Sequence, residues 1–204
     1  MDLGLHSPEQ NRTMNSQLAL WRGEFGRAYI ERNDAAPDTI RRVTAMWARM
    51  LQNIQPYEIL EVGANVGINL RALRNLTSAD LTAVEPNDLA RQRLKNDGFH
   101  AVEATAQRLP FNPDRFDLVF TCGVLIHIHP DDLPEAMDEI VRVSRKYILC
   151  AEYYAAQPRE VEYRGRAGQM FLRDYGEEYA RRARILDYGF FWPEGLNWWL
   201  FEKQ

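Results

Sequence analysis

Apolar residues alternate along the chain between short continuous runs and runs with helical spacing. The short runs predict five strands, at residues 58–62, 81–84, 101–103, 116–120 and 147–151. Continuous apolar runs of this length suit strands that helices cover on both faces. Between the first two strands, Val66, Leu70 and Leu73 recur at spacings of four and three, which is typical of one face of a helix.

The segments outside this alternation complete the predicted fold. Two helices are expected before the first strand, at residues 14–31 and 37–52, and two strands close the chain at 185–192 and 196–203. The short connection between the closing strands makes them a hairpin, so one of them runs antiparallel to the other strands. The chain is therefore predicted to be one α/β domain with a Rossmann-like, mostly parallel sheet and helices on both faces.

Length, charge and cysteine content restrict the function classes. The 204 residues are enough for one domain with a full hydrophobic core. The net charge of -4 provides no general attraction to nucleic acid, and no apolar run is long enough to span a membrane, so we expect neither partner. Two cysteines make no disulfide framework or metal cluster, and residues 1–10 lack a secretory signal pattern. We expect a cytoplasmic monomer or homodimer without a bound metal.

A glycine-containing turn follows the first predicted strand. Residues 61–67 read EVGANVG, and small residues at a strand-to-helix turn let a ligand approach the backbone at the carboxyl edge of a sheet. A dinucleotide-binding fingerprint needs small residues at positions 63, 65 and 68, but the chain has Ile68, which accommodates a pyrophosphate poorly. The pattern therefore disfavours NAD and related dinucleotides.

A second candidate ligand contact is the acid at the end of the second predicted strand. Glu85 follows Gly67 by 18 residues and precedes Pro86. A carboxylate at this point of a Rossmann-like sheet can accept hydrogen bonds from both hydroxyls of a ribose. The alternative is a solvent-exposed Glu that caps the following helix.

Two further segments complete a series of four motifs. Residues 104–111 read ATAQRLPF and residues 116–128 read FDLVFTCGVLIHI. In this order, over about 70 residues, the four motifs resemble those of class I S-adenosylmethionine-dependent methyltransferases. The resemblance implies S-adenosyl-L-methionine as cofactor, S-adenosyl-L-homocysteine as product, and a seven-stranded sheet of strand order 3-2-1-4-5-7-6.

The resemblance also implies what individual residues bind. Glu61 stands where an acid commonly lies near the charged amino group of the cofactor, and Glu85 stands where the ribose is bound. Thr105 replaces the acid that usually bonds adenine, so backbone groups of Ala106 and Gln107 are expected to contact the base. The cofactor-binding positions implied in this way are Glu61, Gly63, Ala64, Asn65, Gly67, Glu85, Pro86, Thr105, Ala106, Gln107, Thr121 and Gly123.

A narrower resemblance is carried by residues 21–26 with Tyr29, Arg32 and Asn33, and by residues 123–128, 151–154, 163–165, 173–174 and 187–190. These segments resemble the pseudaminic acid biosynthesis-associated methylases. The resemblance spans nearly the whole chain. Through the name of that group, it implies an acceptor from sugar biosynthesis.

The remaining candidates for chemistry lie beyond the fourth and fifth predicted strands, where the ligand crevice of an open α/β sheet is expected. His127 is the candidate catalytic base because histidine titrates near neutral pH, and its alternative role is to hold the loop by a local hydrogen bond. Arg164 and Arg173 would bind an anionic acceptor, since guanidinium groups pair well with phosphate or carboxylate. The candidate acceptor-binding residues are His129, Glu152, Tyr153, Tyr154, Tyr163, Arg164 and Arg173.

An aromatic stripe precedes the sheet. Trp21, Phe25 and Tyr29 recur every four residues, and this spacing favours packing against the protein core. The alternative is a lid over the cofactor, in which Tyr29 and Arg32 reach its carboxylate. The expected parts of the single domain are N-terminal helices or a lid at 1–55, a cofactor-binding core at 56–151, an acceptor-site insert at 152–184 and closing strands at 185–204.

These features predict an enzyme that transfers a methyl group to an oxygen or nitrogen of a small polar acceptor, such as a sugar or a nucleotide-activated sugar. Methyl transfer to a peptide or another natural product is an alternative, as is a non-catalytic protein that keeps the Rossmann-like fold and binds the cofactor or a nucleotide. A nucleotide-dependent oxidoreductase or epimerase is disfavoured by Ile68 and by the lack of a Tyr-x-x-x-Lys pair.

Overall fold

A computed structural model of the protein describes residues 17–33 and 35–204. Its strands are β1 (Glu58–Val62), β2 (Asp80–Val84), β3 (His100–Val102), β4 (Phe116–Cys122), β5 (Ser144–Glu152), β6 (Arg159–Tyr163), β7 (Arg166–Leu172), β8 (Ala183–Phe191) and β9 (Leu196–Lys203). Residues 17–22 are helical. The helices that follow are α1 (Glu24–Arg32), α2 (Pro37–Met50), α3 (Ile68–Arg74), α4 (Asp88–Asn96), α5 (Leu133–Val143) and α6 (Tyr175–Ala180), with 3-10 helices at Leu125–His127 and Trp192–Glu194.

Seven strands form one sheet, in the order β3-β2-β1-β4-β5-β9-β8. Strands β1 to β5 are parallel to one another, and β9 runs antiparallel to both β5 and β8. The predicted α/β fold class is confirmed. The strand order departs from 3-2-1-4-5-7-6 only in numbering, because β6 and β7 precede the closing hairpin and lie outside the sheet.

Helices cover both faces of this sheet. Leu118 and Val119 are neighbours on β4, point to opposite faces and are both fully buried. Val119 belongs to the core layer that contains Ile140 of α5, and Leu118 to the layer that contains Trp47 of α2. Burial on both faces explains why the central strands read as continuous apolar runs. Among residues 17–33 and 35–204, no helix is both long and apolar enough to cross a membrane.

The N-terminal helical region is interrupted, although one helix was predicted over residues 14–31. Gly23 is a bend between the helical residues 17–22 and α1, and residues 14–16 lie outside the part that the structure describes. A Cβ atom at Gly26 would lie 1.8 Å from the carbonyl oxygen of Trp21. The two helical pieces can therefore meet at this angle only because position 26 has no side chain.

The stretch after β5, for which the sequence predicted only an acceptor-site insert at 152–184, contains a hairpin and a short helix. Strands β6 and β7 form a separate two-stranded antiparallel sheet, and α6 follows them. The turn between them places Arg164 at φ 52° and Gly165 at φ 75°, and two left-handed residues in succession are what a tight hairpin turn needs. Because Asn-Gly or Asp-Gly is the usual signal of that turn, the Arg-Gly pair did not reveal it.

Candidate functional site

A cavity of about 530 Å³ opens at the carboxyl ends of β1, β2 and β4. Ligand-binding pockets in proteins commonly enclose roughly 300–1,000 Å³, so the cavity has room for a nucleoside-sized ligand and part of a second molecule. Its lining residues include two chemically unlike groups, which we call its halves. The carboxylate half consists of Glu61, Glu85 and the turn at residues 63–66, and the aromatic half consists of Trp21, Tyr29, His127, Tyr153 and Tyr163.

The turn after β1 is shaped by left-handed residues. Gly63 has φ 78° and Asn65 has φ 47°, a conformation that Asn tolerates better than most residues. The backbone N–H groups of Gly63 and Ala64 both donate to the carbonyl oxygen of Val84, at 2.8 and 3.0 Å. A Cβ atom at Gly63 would lie 2.6 Å from Cγ2 of Val124, so glycine lets this turn lie against the loop that follows β4.

Glu85 is buried in the cavity wall at the end of β2. Its Oε2 accepts a hydrogen bond from the backbone N–H of Asn65 and its Oε1 from that of Asn87, each at 2.8 Å. Burial raises the pKa of Glu85, and these two N–H groups oppose the rise. The cap of α4 is the side chain of Asn87, which accepts from the N–H groups of Leu89 and Ala90. The alternative of a solvent-exposed, helix-capping Glu85 is therefore wrong.

Glu61 is the second buried carboxylate of this half. Its Oε1 accepts from Nδ2 of Asn69 at 2.7 Å, and Asn69 in turn accepts from Nε1 of Trp47 at 3.1 Å. Its Oε2 is buried without a hydrogen-bond partner. Burial, with a smaller contribution from the nearby Glu85 charge, raises the pKa of Glu61 to about 8, although the Asn69 amide opposes the rise.

This arrangement fits the cofactor that the sequence motifs imply. A buried carboxylate oxygen without a partner is costly, and a cationic amino group would satisfy it. Glu85 keeps lone pairs beyond those used by the two backbone N–H groups, and carboxylate oxygens can accept further hydrogen bonds from hydroxyl groups. The residues present can therefore hold the amino group and the ribose of S-adenosylmethionine.

Two predicted cofactor positions do not border the cavity. Gly67 precedes α3 at φ 78°, and a Cβ atom there would lie 2.6 Å from Cδ2 of Leu94, so its glycine serves helix packing. Thr121 is only 1% exposed and is enclosed within the sheet. The other predicted cofactor positions all border the cavity: Tyr29, Arg32, Glu61, Gly63, Ala64, Asn65, Glu85, Pro86, Thr105, Ala106, Gln107 and Gly123.

The N-terminal aromatic stripe forms much of the aromatic half. The ring centroid of Trp21 lies 5.2 Å from that of Tyr29 and 4.9 Å from that of His127. Phe25 lies 6.0 Å from Tyr163, whose ring is 4.8 Å from that of His127. The expectation that the stripe packs into the protein core is therefore wrong. Its rings pack at the cavity, and the residue of α1 that belongs to a hydrophobic core cluster is Ile30 instead.

His127 borders the cavity at the end of the 3-10 helix that follows β4. Its Nδ1 lies 2.7 Å from the carbonyl oxygen of Gln169 on β7. Since a carbonyl oxygen only accepts, Nδ1 carries the proton and Nε2 has a free lone pair. Burial lowers the pKa of His127 to about 4, against the opposing effect of the Gln169 carbonyl. The imidazole is therefore neutral near pH 7, and its hydrogen bond ties the hairpin to the loop.

Glu152 was predicted to contact the acceptor, but it does not border the cavity. It is fully buried at the end of β5. Its Oε1 accepts from the backbone N–H groups of Val124 and Leu125, both at 3.1 Å, and its Oε2 accepts from that of Ile126 at 3.5 Å. Burial raises the pKa of Glu152 to about 7, and these N–H groups oppose the rise. Glu152 therefore anchors the loop that carries His127.

Of the remaining acceptor candidates, Tyr153 and Tyr163 border the cavity and four residues do not. His129 packs its ring against Phe171, and Tyr154 lies near Trp199. Arg164 is exposed at the β6–β7 turn, and Arg173 is paired with Glu178 at 3.9 Å. The acceptor contacts predicted for these four residues are therefore corrected. Tyr154 leaves the end of β5 in the direction opposite to Tyr153, and the other three make their contacts outside the cavity.

Several residues of the cavity wall were not anticipated. Arg42 of α2 and Glu194 of the turn before β9 form an ion pair of 2.6 Å at the cavity. Asn69, the partner of Glu61, also borders the cavity. No local pattern marks these positions, since 152 residues separate Arg42 from Glu194. Within the described residues, no group of three or more His, Cys, Asp and Glu side chains could hold a metal ion.

Residues 60–148 match the sequence model of a methyltransferase domain. The matched segment runs from β1 to β5 and includes the turn at 63–66, Glu85 and His127. No curated protein matches the sequence.

Solved structures resemble the whole fold at low sequence identity. The 1,6-didemethyltoxoflavin N1-methyltransferase of Burkholderia thailandensis, with bound S-adenosylhomocysteine, is 19% identical, with a TM-score of 0.69 over 100% of this chain and 93% of that one. The magnesium protoporphyrin IX methyltransferase of Synechocystis, with bound S-adenosylmethionine, is 10% identical, with a TM-score of 0.68 over 100% of both chains. A putative methyltransferase of Haloferax volcanii, in complex with the activator Trm112, is 15% identical, with a TM-score of 0.71 over 89% and 96%.

The structural neighbours show the fold, and residues 60–148 match the methyltransferase domain. The chain carries a methyltransferase domain in a class I methyltransferase fold. It is a methyltransferase that uses S-adenosylmethionine, as the four motifs predicted.

Proposed function

We propose that the chain transfers a methyl group from S-adenosylmethionine to an oxygen or nitrogen of a small polar acceptor, and that this acceptor is a sugar or a nucleotide-activated sugar. The observation that carries the proposal is one cavity with two unlike halves, one carboxylate and one aromatic. Aromatic side chains present a large apolar surface, which suits the C–H face of a sugar ring. The resemblance to pseudaminic acid biosynthesis-associated methylases favours the same acceptor class.

The carboxylate half is proposed to hold the cofactor. Glu61 pairs with its amino group, which gives the unpartnered Oε2 a hydrogen-bond donor. Glu85 accepts from the ribose hydroxyls while it holds the N–H of Asn65. Ala106 and Gln107 border the cavity next to Thr105, where backbone groups can contact the base.

The aromatic half is proposed to hold the acceptor next to His127. When bound, S-adenosylmethionine supplies a methyl group that is activated by its positively charged sulfur. Neutral His127 accepts the proton of the acceptor at Nε2, since Nδ1 is engaged by the carbonyl of Gln169. Tyr153 and Tyr163 position the acceptor, and alignment of the two reactants provides most of the rate.

Residues 17–33 and the β6–β7 hairpin are proposed to cover the reacting groups. Trp21 and Tyr163 both contact the ring of His127, and the guanidinium of Arg166 lies 5.6 Å from the ring of Phe25. These contacts join two segments that are far apart in sequence into one roof over the cavity. A roof of rings excludes water from the site of transfer.

A nitrogen atom of a flat heterocycle is the second candidate acceptor. The rings of Trp21, Tyr29 and Tyr163 also suit stacking with such a molecule. The neighbour from Burkholderia thailandensis methylates N1 of 1,6-didemethyltoxoflavin, a named example of this chemistry in the same fold.

A transfer assay with S-adenosylmethionine labelled in its methyl group tests these proposals. The acceptor panel contains free sugars, nucleotide-activated sugars, nitrogen heterocycles and short peptides, with the Glu85→Ala protein as background. We expect labelled product from a sugar or a nucleotide-activated sugar. Transfer only to heterocycles would replace the first candidate with the second, and transfer only to peptides would contradict both.

A further inference from the structure

Strand β8 lies at one edge of the seven-stranded sheet. It pairs with β9 on one side, and within the described part of the chain no strand pairs with the other side. Its nine residues include no Pro and no Lys, which are common devices for preventing pairing at a sheet edge. Apart from the N–H of Tyr188, which donates to Oδ1 of Asp187 at 2.9 Å, the outer backbone N–H and C=O groups of β8 are therefore available to another strand.

The side chains along this edge are unusually apolar for an exposed surface. The exposed fractions are 69% for Tyr188, 51% for Phe190 and 81% for Trp192, and Ile185 is also exposed. Ile185 is paired with Phe201 of β9, and Tyr188 is paired with Trp199. Because Trp199 and Phe201 are next-but-one neighbours on β9, Ile185 and Tyr188 lie on the same face of the sheet. The ring of Phe190 lies 6.0 Å from that of Trp192. We call these four residues, Ile185, Tyr188, Phe190 and Trp192, the β8 strip.

The charged residues of β8 are already neutralised within the chain. Arg184 forms an ion pair with Glu202 of β9, and Asp187 pairs with Arg49 of α2 at 2.9 Å. The strand therefore has no unpaired charge that would favour a charged partner. The surface that best complements an uncharged, apolar strip beside a free strand edge is another strip of the same kind.

The area of the strip is in the range that an interface between two copies requires. An aromatic side chain has roughly 150–250 Å² of surface, so the exposed parts of Tyr188, Phe190 and Trp192 amount to roughly 400 Å². A stable interface buries about 800 Å² on each partner. The strip thus supplies about half of that area, and the paired backbone edge with its neighbouring side chains supplies the rest.

We propose that the β8 strip is the interface of a homodimer, in which β8 of one copy pairs with β8 of the other in antiparallel orientation. Antiparallel pairing of one strand with its own copy creates a two-fold axis, so the sheet continues through both copies and the two strips lie side by side on one face of it. The turn Trp192–Glu194 then connects the interface at Trp192 to the cavity, because Glu194 pairs with Arg42 at the cavity wall. The site of each copy is next to the dimer contact.

Sedimentation velocity over a range of protein concentrations tests the interface. We expect the wild-type chain to dimerise and Tyr188→Glu to weaken the dimer at least about tenfold, because it buries a charge at the centre of the contact. The matched control is Tyr57→Glu, since Tyr57 is 75% exposed just before β1 and lies outside the strip. This control should dimerise as the wild type does. A wild-type chain that stays monomeric, or a Tyr188→Glu dimer of unchanged affinity, overturns the proposal.

Hydrogen exchange of the wild-type chain provides a second measurement that needs no variant. The backbone amides of residues 188–191 should exchange more slowly at a protein concentration where the dimer forms than at one where it dissociates. Protection that does not change with concentration would mean that a segment of the same chain, such as residues 1–16, covers the edge. That result would also overturn the homodimer.

Discussion

The carboxylate half and the aromatic half of the cavity are assembled in different ways. In the carboxylate half, each polar contact joins residues close in sequence: 8 residues separate Glu61 from Asn69, and 20 separate Asn65 from Glu85. In the aromatic half, 42 residues separate His127 from Gln169, and Trp21 of the N-terminal helical region contacts His127. One half is a local motif, and the other exists only after the chain has folded.

The two halves also differ in electrostatics. Burial raises the pKa values of Glu61 and Glu85 because it destabilises their charged forms, which a cationic and hydroxyl-bearing ligand would stabilise. Burial lowers the pKa of His127, so the aromatic half has a neutral imidazole among rings. We therefore expect changes in the first half to alter cofactor affinity and changes in the second half to alter acceptor turnover.

The largest expected effect is on turnover in His127→Ala. Loss of the proton-accepting Nε2 should lower kcat about 100-fold, with S-adenosylhomocysteine affinity within about threefold of wild type. Because the pKa of His127 is about 4, wild-type kcat should fall only as the pH drops towards that value, where the imidazole gains a proton. His129→Ala is the control, and equal losses in both variants would show that His127 is not the base.

The second effect is on cofactor affinity in Glu85→Ala. Removal of the carboxylate deletes the proposed ribose contact and leaves the N–H groups of Asn65 and Asn87 without their acceptor. We expect S-adenosylhomocysteine affinity to fall about ten- to a hundredfold, equivalent to about 1.5–3 kcal/mol. Isothermal titration calorimetry measures it, with Asp80→Ala at the opposite end of β2 as the control. Unchanged affinity in a folded Glu85→Ala protein would contradict the assignment.

The third effect separates the halves directly. Tyr163→Ala removes a ring that borders the cavity and contacts His127, so the KM for the acceptor should rise about tenfold. Affinity for S-adenosylhomocysteine should stay within about threefold. The control is Tyr154→Ala, because Tyr154 is exposed outside the cavity and should leave the KM unchanged. If Tyr163→Ala lowers the affinity for S-adenosylhomocysteine instead, Tyr163 contacts the cofactor and not the acceptor.

The smallest effect is a pH dependence of cofactor binding through Glu61. Because the pKa of Glu61 is about 8, its carboxyl group is protonated at neutral pH before the cofactor binds. The carboxyl group must lose this proton in order to pair with a cationic amino group. Affinity for S-adenosylhomocysteine should therefore rise roughly fivefold between pH 7 and pH 8. Glu61→Gln should bind more weakly and lose this slope. The same slope in both proteins would mean that another group titrates.

Much of the fold could be predicted because its signals are local. The apolar runs around Leu118 and Leu149 mark strands buried on both faces, whatever their neighbours are. Gly63 and Glu85 were found in the same way, because a strand-to-helix turn and an acid at a strand end leave a pattern within a few residues. The hairpin at β6–β7 escaped because Arg164 occupies a left-handed position without the usual Asn or Asp.

The sequence by itself determined the α/β alternation, the glycine turn and the carboxylate half, because each depends on neighbours within about 20 residues. Only the tertiary structure decided which residues face the cavity beyond β5. Glu152 bonds to the loop after β4, Tyr153 borders the cavity and Tyr154 lies near Trp199. Successive side chains at a strand end point in different directions, and the residue types do not reveal which one reaches the cavity. The aromatic half likewise depends on how Gly23 and Gly26 angle the N-terminal helical pieces towards His127, which is set by packing.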